Sequence, residues 1–225
     1  MKSNFSISGQ HYLFNVQAFA HVILMHDVDS GHYRYTDNTT LGVIEDVANG
    51  KSDIGIIMHT DTRKQAILDK LDQSGLDFVE LIASKPRIAI SASHPMANSK
   101  CISLHEMKDY PYIYFEQEPE QKPEQEPSSD SLFAEEAICG CDSKIKIACS
   151  DRASLSELLV AINGYTITSG ILVGVSDGAI LSTVALDTNE ILHLGYITKK
   201  GEVLKGCAKD FVDVLREKLP NYAKF

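Results

Sequence analysis

The clearest pattern in the chain is an amphipathic run that ends at a glycine and is followed by an unbroken apolar stretch. Val43 and Val47 lie one helical turn apart, and Asn49-Gly50 suits the end of a helix. The run from Ile54 to Met58 is apolar without alternation, which predicts a strand covered on both faces, as in a parallel sheet flanked by helices. Ligands of such sheets bind beyond the carboxyl ends of the strands, so His59 is expected to face a cleft.

The rest of the chain repeats this alternation of strands and helices. Strands are predicted at residues 5–8, 32–36, 54–58, 78–82, 87–91, 112–115, 144–150, 165–169, 179–186 and 191–198. Helices are predicted after Gln10, with Leu13, Val16, Ala20 and Ile23 on one face, after Asp37–Thr40, after Ser103, after Asp130-Ser131, from Ser154 and from Leu204 to Leu219.

Two α/β series followed by a last strand and helix predict two lobes. The fold class is α/β, with two Rossmann-like lobes joined by two crossover strands. We expect residues 1–101 plus 191–225 in the first lobe and residues 102–190 in the second, because the chain would leave the first lobe near 101 and return near 191. Two crossing strands make a hinge, and the cleft between the lobes is the expected site.

Composition and charge narrow the class of partner. The chain has 225 residues, a formal net charge of -10 and no Trp. Such acidity repels phosphate backbones, which disfavours direct binding to nucleic acid. The apolar runs are shorter than the roughly 20 residues that span a bilayer, and the first residues lack the apolar core of a signal peptide, so we expect a cytoplasmic protein without a membrane partner.

Several features have a functional and an ordinary interpretation. Residues 116–127 form an acidic tandem tetrapeptide with proline at every fourth position, typical of a solvated loop or of a lid. Cys139-Gly140-Cys141 has a spacing unusual for zinc, and the five cysteines favour reduced thiols over a redox sensor. Gly174–Gly178 matches G-x-S-x-G, but β-forming residues follow where a hydrolase has a helix. We therefore predict no enzyme, no metal site and no cofactor.

Three turns at helix starts carry the candidate chemistry. Ser8-Gly9-Gln10 follows the first strand, and Thr39-Thr40 repeats the arrangement at the next helix. Helix amino ends attract anions. In the second lobe the corresponding turn is Asp151–Ser154, where Arg152 offers a bidentate grip on an anion. The alternative is that Ser8, Thr39 and Ser154 are plain N-caps and that Arg152 belongs to a surface ion pair.

Several stretches, in their order along nearly the whole chain, resemble the effector-binding domain of LysR-type transcriptional regulators. They are residues 6–12, 43–57, 94–97, 102–104, 109–113, 158–164, 194–197 and 211–215. The resemblance implies a periplasmic-binding-protein type II fold, dimerising regulatory domains and a small-molecule effector in the cleft. It places effector contacts at the turns named above, and the expected set is Ser8, Gly9, Gln10, Thr39, Thr40, His59, Ser93, Asp151, Arg152, Ser154 and Ser169.

The resemblance also sets the expected partners. The effector is expected to be a carboxylate or another anion, and the chain is expected to form a homodimer through its regulatory domains. Contact with DNA is expected only through an N-terminal winged helix-turn-helix, which the family carries and this sequence lacks. The alternative is a stand-alone bilobal solute-binding protein without a DNA-binding role, which an export signal would favour.

Overall fold

The computed structural model describes residues 3–26, 31–116, 132, 134–138, 143–171, 173 and 180–223. These residues form a mixed α/β structure with two sheets, which confirms the predicted fold class. The strands are β1 (Ser3–Gly9), β2 (Gly31–Asp37), β3 (Ile54–Thr60), β4 (Leu76–Ser84), β5 (Arg87–Ser91), β6 (Cys101–Ile102), β7 (Tyr112–Phe115), β8 (Lys146–Cys149), β9 (Tyr165–Thr168), β10 (Leu181–Leu186) and β11 (Leu192–Lys199). The helices are α1 (Leu13–His26), α2 (Thr40–Ala48), α3 (Lys64–Gln73), α4 (Ala134–Ala137), α5 (Arg152–Ala161) and α6 (Gly206–Tyr222), with a 3-10 turn at Leu104–Met107.

The chain divides into two compact units. Unit 1 contains the residues up to Ala83 and the segment His193–Ala223, and unit 2 runs from Ser84 to Leu192. Strand β5 pairs with β9 and β10 and therefore belongs to the second sheet.

Unit 1 is built on a five-stranded sheet with the order β2-β1-β3-β11-β4. Strand β1 is parallel to both β2 and β3. Every residue of β3 is buried, as its unbroken apolar pattern predicts. Helices α1 and α6 share a core with β1, where the Phe5 ring lies 5.7 Å from that of Phe19 and 5.7 Å from that of Phe211.

Unit 2 is built on a six-stranded sheet with the order β6-β10-β5-β9-β7-β8. Strand β7 is parallel to β8 and β9, whereas β5 is antiparallel to β9 and β10. Helix α5 packs on this sheet through Leu155 and Leu159, which contact Ile113 of β7. The helix ends where Asn163 adopts a positive φ of 56°, at the predicted stop.

Two helix predictions require correction. In α1 the buried side chains include Phe14, Ala18, Phe19 and Val22, whereas Leu13 and Val16 of the predicted face are exposed. This helix is apolar nearly all round, so periodicity alone selects no face. Helix α6 begins at Gly206, so Leu204 precedes it.

Other predictions fall partly or wholly on undescribed residues. Asp130 and Ser131, the pair Cys139 and Cys141, and residues 174–178 lie outside the described part of the chain, as does most of the acidic tandem repeat. Among the described helices, none has the length and apolar character needed to cross a membrane.

Candidate functional site

Most of the candidate residues of unit 1 lie at one edge of its sheet. Because β1, β2 and β3 are parallel, their carboxyl ends meet at this edge. Ser8 and Gly9 are the last two residues of β1 and Gln10 follows it, the Thr39-Thr40 pair follows β2, and His59 lies at the end of β3. The backbone N–H of Asn38 donates to the carbonyl of Gly9 at 2.9 Å, which ties the first two turns together.

Ser8 belongs to a buried hydrogen-bond network rather than to a helix cap. It lies inside β1, is fully buried, and its hydroxyl donates to Oδ2 of Asp46 at 2.9 Å. Asn38 Nδ2 donates to the same carboxylate oxygen at 3.1 Å, and Lys51 Nζ lies 3.6 Å from the other oxygen. The sequence interpretation missed Asp46, although its spacing of three and one from Val43 and Val47 places it on the buried face of α2.

Gln10 and the two threonines occupy the start of α2. Thr39 is the N-cap, as predicted, and its side chain accepts from Gly42 N at 3.1 Å. Gln10 Nε2 donates to Thr40 Oγ1 at 2.5 Å, and both side chains are buried. Gln10 Oε1 is buried without a partner among the described residues, so this edge of the sheet holds an acceptor that the folded chain leaves unpaired.

Asn15 is a further buried polar residue that the sequence interpretation missed. It lies in the first turn of α1, is fully buried, and neither side-chain atom of its amide has a partner among the described residues. A Cβ at Gly9 would come within 2.8 Å of Asn15 Nδ2, so glycine there leaves room for this amide. The signal was available, because Asn15 falls at helical spacing with the buried Ala18, Phe19 and Val22.

His59 is buried at the end of β3 and contacts a second histidine. Its Nδ1 donates to the carbonyl of Thr60 at 3.0 Å, and its ring stacks on His193 with centroids 5.0 Å apart. Burial is the main cause that lowers the pKa of His59. The Thr60 carbonyl raises this pKa by accepting a hydrogen bond, whereas the charges of His193 and Lys64 lower it further. His193 in turn lies 3.0 Å from carboxylate oxygens of both Glu80 and Asp61.

In unit 2 three candidate residues come together at the start of α5. Asp151 is the N-cap and accepts from Ser154 N at 2.9 Å and from Ser154 Oγ at 2.6 Å. The helix was predicted to begin at Ser154, but it begins at Arg152, two residues earlier, so Ser154 lies inside it. Asp151, Arg152 and Ser154 are all exposed, in contrast to their counterparts in unit 1.

Ser93 and Ser169 lie at opposite edges of the second sheet. Strands β5 and β9 are antiparallel, with Arg87 opposite Thr168 and Ile90 opposite Tyr165. Ser93, which follows β5, and Ser169, which follows β9, therefore lie at opposite ends of this strand pair. Ser169 shares the carboxyl edge of β7, β8 and β9 with the start of α5, and its carbonyl accepts from Ser84 Oγ at 2.7 Å. Ser93 is exposed at the other edge, where it contacts Ser91, so it does not join the group around Asp151.

The thiol of Cys149 is held in its protonated form by its surroundings. Among the described residues, Cys101, Cys149 and Cys207 are not joined in disulfides. Burial, reinforced by the nearby Asp151 carboxylate, raises the pKa of Cys149 to about 11. Since the thiolate is the reactive species, Cys149 is poorly suited to sensing oxidants.

A metal site and a surface cavity are two other kinds of candidate site. The described residues contain no group of three histidine, cysteine or carboxylate side chains able to hold a metal ion. A surface cavity of about 390 Å³ lies between α3 and β4, but its polar groups are engaged: Asp72 with Lys200, Asp69 with Gln65 and Asp77 with Gly201 N.

Solved structures share this fold at low sequence identity. The oxidised form of OxyR has a TM-score of 0.66 at 12% identity, covering 100% of this chain and 99% of that one. The effector-binding domain of QuiR in complex with shikimate has a TM-score of 0.61 at 16% identity, with 100% of both chains covered. The PA01 protein of Pseudomonas aeruginosa, described as a LysR family regulator, has a TM-score of 0.63 at 17% identity, covering 97% of this chain and 71% of that one.

The sequence comparisons complete the assignment. No curated protein matches the chain significantly. The family model of the LysR substrate binding domain matches residues 33–220. The chain therefore belongs to the LysR substrate-binding domain family, the effector-binding domains of LysR-type transcriptional regulators.

Proposed function

We propose that this chain senses a small-molecule effector and passes its occupancy to a DNA-binding domain carried outside these 225 residues. The observation that carries the proposal is the set of buried polar side chains at the carboxyl edge of the first sheet, where Gln10 Oε1 has no partner among the described residues. Strand ends of open α/β sheets are where such folds bind ligands. The proposal assigns the chain no catalytic activity and places it in the cytoplasm, where its DNA target lies.

We further propose an anionic group on the effector, bound in unit 2. The start of α5 is already capped by the carboxylate of Asp151, so its amides are a poor anion site. The guanidinium of Arg152, exposed in the first turn, is better suited to a carboxylate. In unit 1 the positive end of α2 supports the same expectation.

Ligand binding is tested by calorimetric titration and thermal unfolding with a panel of organic acids, hydroxy acids and amino acids. A true effector should bind saturably and add about 2.7 kcal/mol of stability at a hundredfold excess over its Kd. The variant Gln10→Leu should lose binding, whereas Gln73→Leu, at an exposed glutamine of α3, should retain it. Silence across the whole panel contradicts the proposal.

Homodimerisation is proposed through α1. This helix leaves four large apolar side chains exposed: Leu13 at 38%, Val16 at 44%, Leu24 at 70% and Met25 at 56%. Such a patch on one helix is typical of a protein–protein interface. A second copy of the chain is the proposed occupant, because it brings an identical apolar helix.

Light scattering after size-exclusion chromatography tests the dimer. Val16→Asp should shift the chain to monomer, whereas Val203→Asp, at a side chain that is 74% exposed outside α1, should leave the dimer intact. A monomeric wild type, or two variants that behave alike, contradicts the interface.

A further inference from the structure

The surface cavity of about 390 Å³ between α3 and β4, which we call the edge groove, opens at the edge of the first sheet. Strand β4 is the last in the order β2-β1-β3-β11-β4, so its outer N–H and C=O groups have no strand partner in the described part of the chain. Asp77 and Phe78 both line the groove. Since consecutive strand residues point to opposite faces, a groove that contacts both runs along the edge of β4.

The edge groove has apolar walls and an acidic rim. The wall side chains are Leu68, Leu71, Leu76 and Phe78. The charged side chains are three carboxylates and one ammonium, those of Asp69, Asp72, Asp77 and Lys200. This combination suits a long basic side chain, because its aliphatic stem packs on apolar surface while its charged end reaches the carboxylates.

The rim already holds one cation and has acceptors for another. Lys200 Nζ donates to Asp72 Oδ1, and this hydrogen bond, with the charges of Asp72 and Asp77, raises the pKa of Lys200 above its usual value. Asp77 Oδ2 accepts from Gly201 N at 3.1 Å. Each of these bonds occupies one oxygen, and an ionised carboxylate accepts through both. The second oxygens of Asp72 and Asp77 are therefore available to a donor from outside the chain.

Charge decides between the possible occupants of this edge. A second copy of β4 would bring Asp77 and Glu80 without any lysine or arginine, so it would add carboxylates to an acidic rim. The acidic tandem repeat of residues 116–127 would add glutamates, and its prolines lack the N–H that strand pairing needs. A basic segment of another protein has the complementary charge.

We propose that the edge groove binds an extended, arginine- or lysine-bearing segment of a partner protein. The segment adds a strand beside β4 and lays one basic side chain over Leu68 and Phe78, with its charged end at Asp72 and Asp77. Main-chain hydrogen bonds to β4 supply affinity, and the groove selects for positive charge. The surface lies wholly within unit 1, and the inference does not depend on the proposed effector-sensing function.

Two rhodamine-labelled peptides test the proposal: Thr-Val-Arg-Val-Arg-Val-Thr and the same sequence with glutamate in place of arginine. In fluorescence anisotropy the arginine peptide should bind the chain saturably, and raising NaCl from about 50 mM to about 500 mM should weaken binding by about tenfold. The glutamate peptide should not bind. Absent binding of the arginine peptide, or equal binding of both peptides, overturns the proposal.

The position of the bound arginine peptide is measured on the backbone amides of the uniformly 15N-labelled chain. The amides of β4 from Asp77 to Leu81 should shift and gain protection from hydrogen exchange. Strand β2, at the opposite edge of the same sheet, is the internal control, and its amides should not change. Equal changes in both strands, or changes only outside β4, would indicate general attraction to an acidic protein and overturn the proposal.

Two substitutions each remove one exposed carboxylate that accepts from a lysine. Asp72→Asn, in the groove, should lower the affinity for the arginine peptide by about tenfold. The matched control is Asp213→Asn on α6, where the carboxylate accepts from Lys209, and it should leave the affinity unchanged. Equal losses in the two variants would contradict binding at the edge groove.

Discussion

The starts of α2 and α5 share the same local arrangement of a strand followed by a capped helix. In each, a strand ends, a polar residue caps a helix, and candidate ligand-binding side chains follow. In unit 1 the cap Thr39 adjoins buried side chains that connect β1 and the turn after it to α2, Gln10 to Thr40 and Ser8 to Asp46. In unit 2 the cap Asp151 and its neighbours are exposed and bond within one turn.

This difference separates structural from ligand-binding roles. A buried polar network contributes to stability and presents a fixed pattern of donors and acceptors. An exposed turn contributes little to stability beyond its cap, so its side chains can be replaced with less effect on folding. Substitutions at the two helix starts should therefore have different consequences.

The largest expected effect is that of Asp46→Ala. The substitution leaves Ser8 and Asn38 without their shared acceptor, and it should lower the free energy of unfolding by about 2–3 kcal/mol. Asp151→Ala, which removes an exposed cap, should cost about 1 kcal/mol. Urea denaturation measures both values. Equal losses of unfolding free energy in the two variants would contradict the larger contribution expected for the buried carboxylate.

A smaller effect is expected at the cap of α2. Thr39→Ala removes the acceptor of Gly42 N and should cost about 1 kcal/mol. Ser154→Ala, at a residue inside α5 rather than at its cap, should change the free energy of unfolding by less than about 0.5 kcal/mol. Thermal unfolding followed by circular dichroism compares the two, and a larger loss for Ser154→Ala would contradict the observed start of α5.

Acidification should destabilise both units through one buried histidine each. Burial lowers the pKa of His59 in unit 1 and of His94 in unit 2 below the ordinary value of 6.5. Between that value and the lowered pKa the unfolded chain binds more protons than the folded chain, so stability falls as the pH decreases below about 6.5. Urea titrations at several pH values should show this slope, and His59→Gln should flatten it. A wild-type stability that is level from pH 7.5 to 5.5 would contradict the prediction.

The smallest effect on stability is expected for Arg152→Gln. Because Arg152 is exposed, the free energy of unfolding should change by less than about 0.5 kcal/mol. The affinity for an anionic ligand from the panel should fall by about tenfold or more, since a charged hydrogen bond contributes roughly 1.5–3 kcal/mol. Calorimetric titration measures the affinity, and unchanged binding would remove Arg152 from the site.

The sequence predicts the order of strands and most helix ends because these depend on local patterns. Thr39 and Asn163 cap and stop their helices where expected. Helix α3 was missed: its charged surface leaves only Ile67 and Leu71, one turn apart, as buried side chains. The buried face of α1 was predicted wrongly because the helix carries apolar side chains on nearly every side. Which of them are buried depends on tertiary packing.

The candidate site was predictable only where it follows strand ends. The turns at Ser8–Gln10 and Thr39-Thr40 were predicted from the alternation of strands and helices, and the parallel pairing of β1 and β2 brings them to one edge. The contact of Asp46 with Ser8 joins residues 38 positions apart, and no local pattern specifies such a pairing. Ser93 and Ser169 were both expected among the effector contacts, and the sequence does not show that β5 and β9 run in opposite directions.

His193, at the return of the chain to unit 1, lies between two carboxylates. His193 lies 3.0 Å from Glu80 through Nδ1 and 3.0 Å from Asp61 through Nε2. Carboxylate oxygens accept hydrogen bonds, so each ring nitrogen has an acceptor within reach. Glu80 belongs to β4 and Asp61 follows β3, the two strands beside β11, so His193 connects β11 to the segments on either side of it.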